Sequence, residues 1–383
     1  MYIVTTVTWV VISCLSSHVL SQTPLCDSRL RYGGVCVETS TACPSGTFSY
    51  VHFSNYIGCF GVNQKCCANN PQGAVKYPDG IVVTPPPTCG VGSMDPSSRI
   101  LDGTLTGPCD WPFSVSLRSR LVPTNDLTYQ GTTHVCAGTL ISPTWVLTNS
   151  ACVLSAGISA ADAPGNAIVV AADYNITGID IDPLTGRQQE QVINIKSAHL
   201  HPDYRFTTQF DLVPFEDTQA INSNAVALIK LAEPITGRCS GIACLPTEAE
   251  AANNCAAYDE CVITGWGFVS ESFETGVKDE LMLGRVRLIS AAACDFLTAR
   301  LNLNSSRPIG TICQSPRETN TDSCLGDEGG AVLCSNGFNW VVRAILPFNM
   351  CLNGRYNLYV TSASNYLNWI QTTMAQVDAA TTG

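Results

Sequence analysis

The chain has 383 residues, 45% of them hydrophobic and only 13% charged. Twenty Lys and Arg against 31 Asp and Glu leave a net charge of −11. An acidic chain lacks the basic face that phosphates need, which argues against a nucleic-acid binder or an electrostatic membrane-surface binder. Twenty cysteines point to disulfides and an oxidising compartment. Structural zinc would need close C-x2-C pairs, and the sequence has none. His199 and His201 read as ordinary strand or loop residues, so no metal and no cofactor is implied.

Residues 2–15 form an apolar run too short to span a bilayer. Val19 and Ser21 suit the small-residue positions of a cleavage site, so 1–21 reads as a signal peptide. The mature protein is then secreted and extracellular, with no transmembrane segment. Sequons at Asn175 and Asn304 agree with that compartment.

Six cysteines crowd into residues 22–67: Cys26, Cys36, Cys43, Cys59, Cys66 and Cys67. A unit this short cannot bury enough apolar area and needs three disulfides. Spacing alone leaves about fifteen connectivities open. Residues 68–99 turn to Pro, Gly and small side chains, with Pro85-Pro86-Pro87 at the centre, and read as an extended linker. From 100 to 371 short β-branched and aromatic runs alternate with turn clusters at roughly 8–12 residue spacing, the pattern of an all-β sandwich or barrel. The clearest runs are 113–117, 145–148, 226–231, 261–265 and 340–346. A closing helix is predicted over 366–374, and 372–383 reads as a flexible tail.

Several motifs then occur in order. Arg99-Ile-Leu-Asp-Gly precedes Trp111-Pro-Phe-Ser-Val-Ser-Leu. Cys136-Ala-Gly-Thr-Leu-Ile-Ser-Pro-Thr-Trp-Val-Leu-Thr runs on to Cys152. Thr264-Gly-Trp-Gly and Asp322-Ser-Cys-Leu-Gly-Asp-Glu-Gly-Gly follow. Together they resemble the trypsin-like serine proteases over nearly all of residues 100–370. The resemblance implies two six-stranded β-barrels with a C-terminal helix, the site lying in the cleft between them.

That chemistry needs a hydroxyl nucleophile, an imidazole base and a carboxylate that orients the base. By resemblance the base position holds Ala151, the orienting position Ala225 and the nucleophile position Glu328. Methyl groups cannot take a proton, and Glu328 places negative charge where an oxyanion would form. Gly326 still permits one oxyanion donor. Asp322 stands at the specificity position, but Asn349 and Asn357 replace two glycines that keep that pocket open, so a plugged pocket is expected. Arg99-Ile100 stands as the activation cleavage site, and the freed Ile100 ammonium would bury against Asp327. The resemblance also implies disulfides Cys136–Cys152, Cys261–Cys334, Cys294–Cys313 and Cys324–Cys351, with Cys89–Cys244 as a tether. Cys109, Cys239 and Cys255 are left over.

The block ending Lys65-Cys66-Cys67 resembles an arthropod clip domain and, in its compact spacing, a β-defensin. Within 26–67, Arg29, Arg31 and Lys65 against Asp27 and Glu38 leave a charge of +1, which favours recognition over membrane attack. The whole chain thus resembles a masquerade-like, non-catalytic clip-domain serine protease homologue. The resemblance implies a binding role in invertebrate innate immunity. Its partners would be an active clip protease and prophenoloxidase, or a microbial surface. A serine endopeptidase with residual activity and an antimicrobial N-terminal module are the alternatives.

Overall fold

The computed structural model describes residues 35–38, 48–50, 64–68, 75–76, 82–83, 89–92, 104–120, 132–158, 166–181, 186–204, 223–237, 239–251, 258–267, 278–300, 309–316, 323–336, 339–347 and 359–382. The signal peptide, Cys26, Cys43, Cys59, Arg99, Ile100, Cys255, Asn304, Asp322, Asn349, Cys351 and Asn357 lie outside them. The chain divides into two units, 1–88 with 335–339, and 89–334 with 340–383.

In the first unit β1 (Val35–Glu38), β2 (Phe48–Tyr50) and β3 (Gln64–Ala68) form an antiparallel sheet in the order β1-β3-β2. The register sets Cys36 opposite Cys66, and Tyr50 opposite Cys66 from the other side. The segment expected to be an extended linker contains a second pair, β4 (Val75–Lys76) with β5 (Val82–Val83). Valine favours strand, a tendency that a proline-rich reading passes over.

The second unit holds the two barrels. The first closes in the order β10-β11-β12-β9-β8-β7. Its strands are β7 (Ser114–Arg120), β8 (Thr132–Ser142), β9 (Trp145–Thr148), β10 (Ala167–Ala171), β11 (Gln191–Leu200) and β12 (Ala227–Leu231). The second closes through β13 (Tyr258–Gly265), β14 (Met282–Ile289), β15 (Thr311–Pro316), β16 (Ala331–Ser335), β17 (Trp340–Ile345) and β18 (Tyr359–Ser362). β6 (Thr104–Leu105) adds to the edge of β14. This is the double six-stranded barrel that the resemblance implies. β10 and β12 are buried along their whole length, because a closed barrel packs one face inside and the other against its neighbours. One apolar cluster runs from Phe113, Leu117 and Leu147 through Trp266 to Trp340 and Ile370, and so spans both barrels. Each such side chain contributes about 1.5–3 kcal/mol on burial.

Disulfides join Cys89–Cys244, Cys109–Cys239, Cys136–Cys152, Cys261–Cys334 and Cys294–Cys313. Cys324 is also in a disulfide. The pair Cys109–Cys239, separated by 130 residues, accounts for two of the three cysteines that the sequence left over. Backbone bonds reinforce the first tether: Gly90 N–H donates to Ile242 O at 2.6 Å, and Trp340 N–H to Gly90 O at 2.9 Å.

The short helices are α1 (Ser150–Ser155), α2 (Glu248–Ala251) and α3 (Ala291–Arg300). The closing helix, α4 (Leu367–Thr382), corrects the expectation of a flexible tail from 372. Asp378 ties its last turns to the first barrel. The carboxylate accepts from Lys230 Nζ at 2.6 Å and from Trp145 Nε1 at 3.2 Å, and the Lys230 ammonium lies 4.9 Å from the Trp145 ring centroid. Among the described residues no helix is long and apolar enough to cross a membrane.

Candidate functional site

The second barrel supplies one wall through the turn 323–330, which leads into β16. Gly326 and Gly329 have φ of 103° and 79°, backbone that favours glycine. The turn is fastened to its surroundings. Ala137 N–H donates to Glu328 O at 2.8 Å, Gly329 N–H to Leu346 O at 3.1 Å, and Leu346 N–H to Gly330 O at 2.8 Å.

Two adjacent carboxylates are buried in this turn. Asp327 accepts from Gly267 N–H at 2.8 Å and from Cys324 N–H at 3.0 Å. Gly265 and Gly267 leave the space it fills, since a Cβ at Gly265 would lie 1.9 Å from its Oδ1. Burial pushes its pKa up to about 6, against the pull of the two N–H donors. Glu328 turns back on its own loop, and its Oε2 accepts from Gly326 N–H at 2.6 Å.

The first barrel supplies the facing wall through α1 and the start of β12. Asn149 caps α1, its Oδ1 accepting from Ala151 N–H at 2.8 Å. Ser150 Oγ donates to Val226 O at 2.8 Å, which ties the segment carrying Ala151 to the one carrying Ala225. Both alanines are buried. The two walls meet at Gly329, where an added Cβ would lie 2.1 Å from Thr148 Oγ1 and 3.0 Å from Cys152 Sγ.

Beneath the turn runs a directional chain of hydrogen bonds. His134 is half-buried and stands 5.4 Å from Trp266, centroid to centroid, edge on. Desolvation lowers its pKa to about 4, so the ring is neutral near pH 7. Gly326 O, 2.8 Å from Nε2, can only accept, so Nε2 carries the proton. Nδ1 therefore accepts from the Ser116 hydroxyl at 2.7 Å. Ser116 Oγ accepts in turn from Arg118 Nε at 3.1 Å. Arg118 Nη2 reaches Asp173 Oδ2 at 2.6 Å, an ion pair with side chains only 4% and 0% exposed.

Residues 100–370 match the family described as Trypsin. The chain belongs to the trypsin family. It is also 26% identical to Ovochymase of Halocynthia roretzi over 281 residues, 72% of this chain. The chain spans about 15% of that relative's length.

In this trypsin-family chain the structure brings together the segments carrying Ala151, Ala225, Gly326, Asp327 and Glu328. Asn175 lies apart on the loop between β10 and β11, its Oδ1 accepting from Thr177 N–H at 3.0 Å and from Thr177 Oγ1 at 2.9 Å. His199 and His201 serve packing, His199 beside Trp145 and His201 against Tyr366 and Trp369. The sequence reading missed the Arg118–Ser116–His134 chain. The available signal was Ser116, Arg118 and His134 in alternation on paired strands, a pattern that period-two reasoning assigns to a solvated face.

Proposed function

We propose that this chain is a secreted, catalytically inactive serine protease homologue that acts by binding protein partners in invertebrate innate immunity. The observation that carries the reading is the contact of Glu328 Oε2 with Gly326 N–H at 2.6 Å. At the position read as the nucleophile, a carboxylate occupies the remaining oxyanion donor. It opposes the charge that acyl transfer must develop, and electrostatic stabilisation there is usually the largest catalytic contribution. Methyl groups at 151 and 225 neither take a proton nor orient a base. Loss of the triad in a serine protease of unrelated fold leaves only about 10³–10⁴ of acceleration over water.

Cleavage after Arg99 is the proposed gate. The freed Ile100 ammonium would give the Asp327 carboxylate a positive partner. Cys89–Cys244 and the Gly90 backbone bonds keep the N-terminal module joined after the cut. The six-cysteine, clip- or defensin-like module serves recognition of a protein or a microbial surface. The barrel cleft is the second contact.

The deciding experiment adds intact and Arg99-cut protein to an active clip protease with prophenoloxidase and follows phenoloxidase appearance. Stimulation by the cut form alone is the expected result. No effect from either form overturns the cofactor role and moves the reading to microbial-surface binding through 26–67. Hydrolysis of an Arg ester above background by either form overturns the non-catalytic reading.

A further inference from the structure

Of the two sequons in the chain, the one at Asn175-Ile176-Thr177 lies among the described residues, just after β10. It folds as a tight turn closed by the asparagine itself. Three donors meet at one side-chain atom of Asn175: Thr177 N–H at 3.0 Å, Thr177 Oγ1 at 2.9 Å and Gly178 N–H at 2.9 Å. A backbone N–H can only donate, so the atom they meet is the amide oxygen, Oδ1, and this tells the two ends of the amide apart. The nitrogen, Nδ2, donates to no atom among the described residues and is not shut away from water.

Around that side chain the backbone is pinned. Ile176 is 6% exposed, and its N–H donates to Asp279 O at 2.8 Å. Asn175 bridges to Glu280, and Leu281 N–H donates to Tyr174 O at 2.8 Å. Asn175 N–H donates to Asp180 Oδ2 at 2.9 Å. Thr177 alone of the three sequon residues is fully exposed.

N-glycosylation uses the one atom that this turn leaves over. Nδ2 attacks C1 of the first sugar of an oligosaccharide carried on a polyprenyl pyrophosphate. The C1–N bond forms, the C1–O bond to pyrophosphate breaks, and one Nδ2 proton passes to a base of the transferase. The product is still an amide with Oδ1 intact, so the three bonds that close the turn survive. The order of events follows from the topology. The partners at 279–281 are synthesised more than a hundred residues after Asn175. At about 5–20 residues per second the sequon stays unpaired for roughly 5–20 s. Once 279–281 docks, a transferase has to tear 174–176 away from it to reach the asparagine.

We propose that Asn175 carries an N-linked oligosaccharide, attached during synthesis before the 279–281 segment docks against the turn. The inference rests on the secretory part of the proposed function and on nothing about catalysis. Ile179 and Ile181, 60% and 52% exposed, lie on the same segment. A bulky, hydrated sugar on Asn175 stands beside this apolar edge and keeps it soluble.

The test expresses the full chain behind its own residues 1–21 in a eukaryotic secretory host. Protein from the medium is treated with peptide N-glycosidase in heavy-oxygen water and mapped by mass spectrometry. Heavy oxygen at position 175 is the expected result. Secreted protein with no label at 175, whether or not Asn304 is labelled, overturns the glycan and leaves secretion standing. Absence of the chain from the medium overturns the secretory reading and the glycan with it. Thr177→Ser should keep the sugar and Thr177→Ala should lose it, and sugar retained in T177A removes it from Asn175. The order of events is read on chain made while oligosaccharide synthesis is blocked. Given transferase and lipid-linked oligosaccharide, the reduced and unfolded chain should be modified at Asn175 and the folded chain should not. Equal modification of the two overturns the order.

Discussion

The two walls of the cleft differ in kind. On the first-barrel wall every polar atom described turns to backbone: Asn149 to Ala151 and Leu346, Ser150 to Val226. What remains beside them is methyl. On the second-barrel wall the backbone does the reaching, and N–H groups of Gly326, Gly267 and Cys324 converge on two carboxylates. The lesson concerns what each wall is made of. A site built from side chains disappears when the side chains change. A site built from backbone donors persists and takes whichever acceptor is nearest.

That contrast is broken most severely at Gly329. An alanine there meets Thr148 Oγ1 and Ala137 O at 2.1 and 2.6 Å with φ at 79°. Gly329→Ala should cost about 4 kcal/mol, read as lost secretion and a lower Tm. An unchanged Tm would show that the turn is not locked against the first barrel. Next comes Asp327→Ala, which strips the acceptor from two buried N–H groups and should cost about 3 kcal/mol in chemical denaturation.

Cleavage at Arg99 gives a smaller effect with a distinct sign. In the uncut chain the Asp327 carboxyl, raised to about 6, loses its stabilising proton as pH rises from 4 through 6. On the proposed gate, the Ile100 ammonium of the cut chain would compensate. The cut chain should therefore be more stable by roughly 2 kcal/mol at pH 8, the gap closing toward pH 4. A gap independent of pH would remove Asp327 from the gate.

Asp378→Ala on α4 leaves the ammonium of Lys230 without its carboxylate. Asp378 is half exposed, so the loss should be about 1 kcal/mol by thermal melting. Glu328→Ser sharpens the contrast by doing least. It restores a hydroxyl beside a free donor but no base at 151, and Arg-ester hydrolysis should stay at background.

Much of this was legible. The runs 113–117, 145–148, 226–231, 261–265 and 340–346 became strands because alternation and β-branching act within a few residues. The motifs around Cys136, Thr264 and Gly326 located both walls for the same reason. What stayed hidden depends on distance along the chain. Lys230 and Asp378 are 148 residues apart, and only their meeting makes the last turns of α4 a fixed helix. Cys109 and Cys239 carry no local sign of each other. Arg118 and Asp173 are 55 residues apart, and only the closed barrel buries them as a pair.

The order of donors from Arg118 to Gly326 O has one more consequence. A proton wire needs members that can both give and take, so that the whole row can flip. Here one end is a guanidinium that only gives, and the other is a carbonyl that only takes. The row has a single arrangement, and His134 is confined to one tautomer. No net proton can travel along it. The two barrels are joined by a strut that carries displacement and no charge, and its ¹⁵N signature, a bare Nδ1 beside a protonated Nε2, should persist unchanged from pH 8 down to about 5.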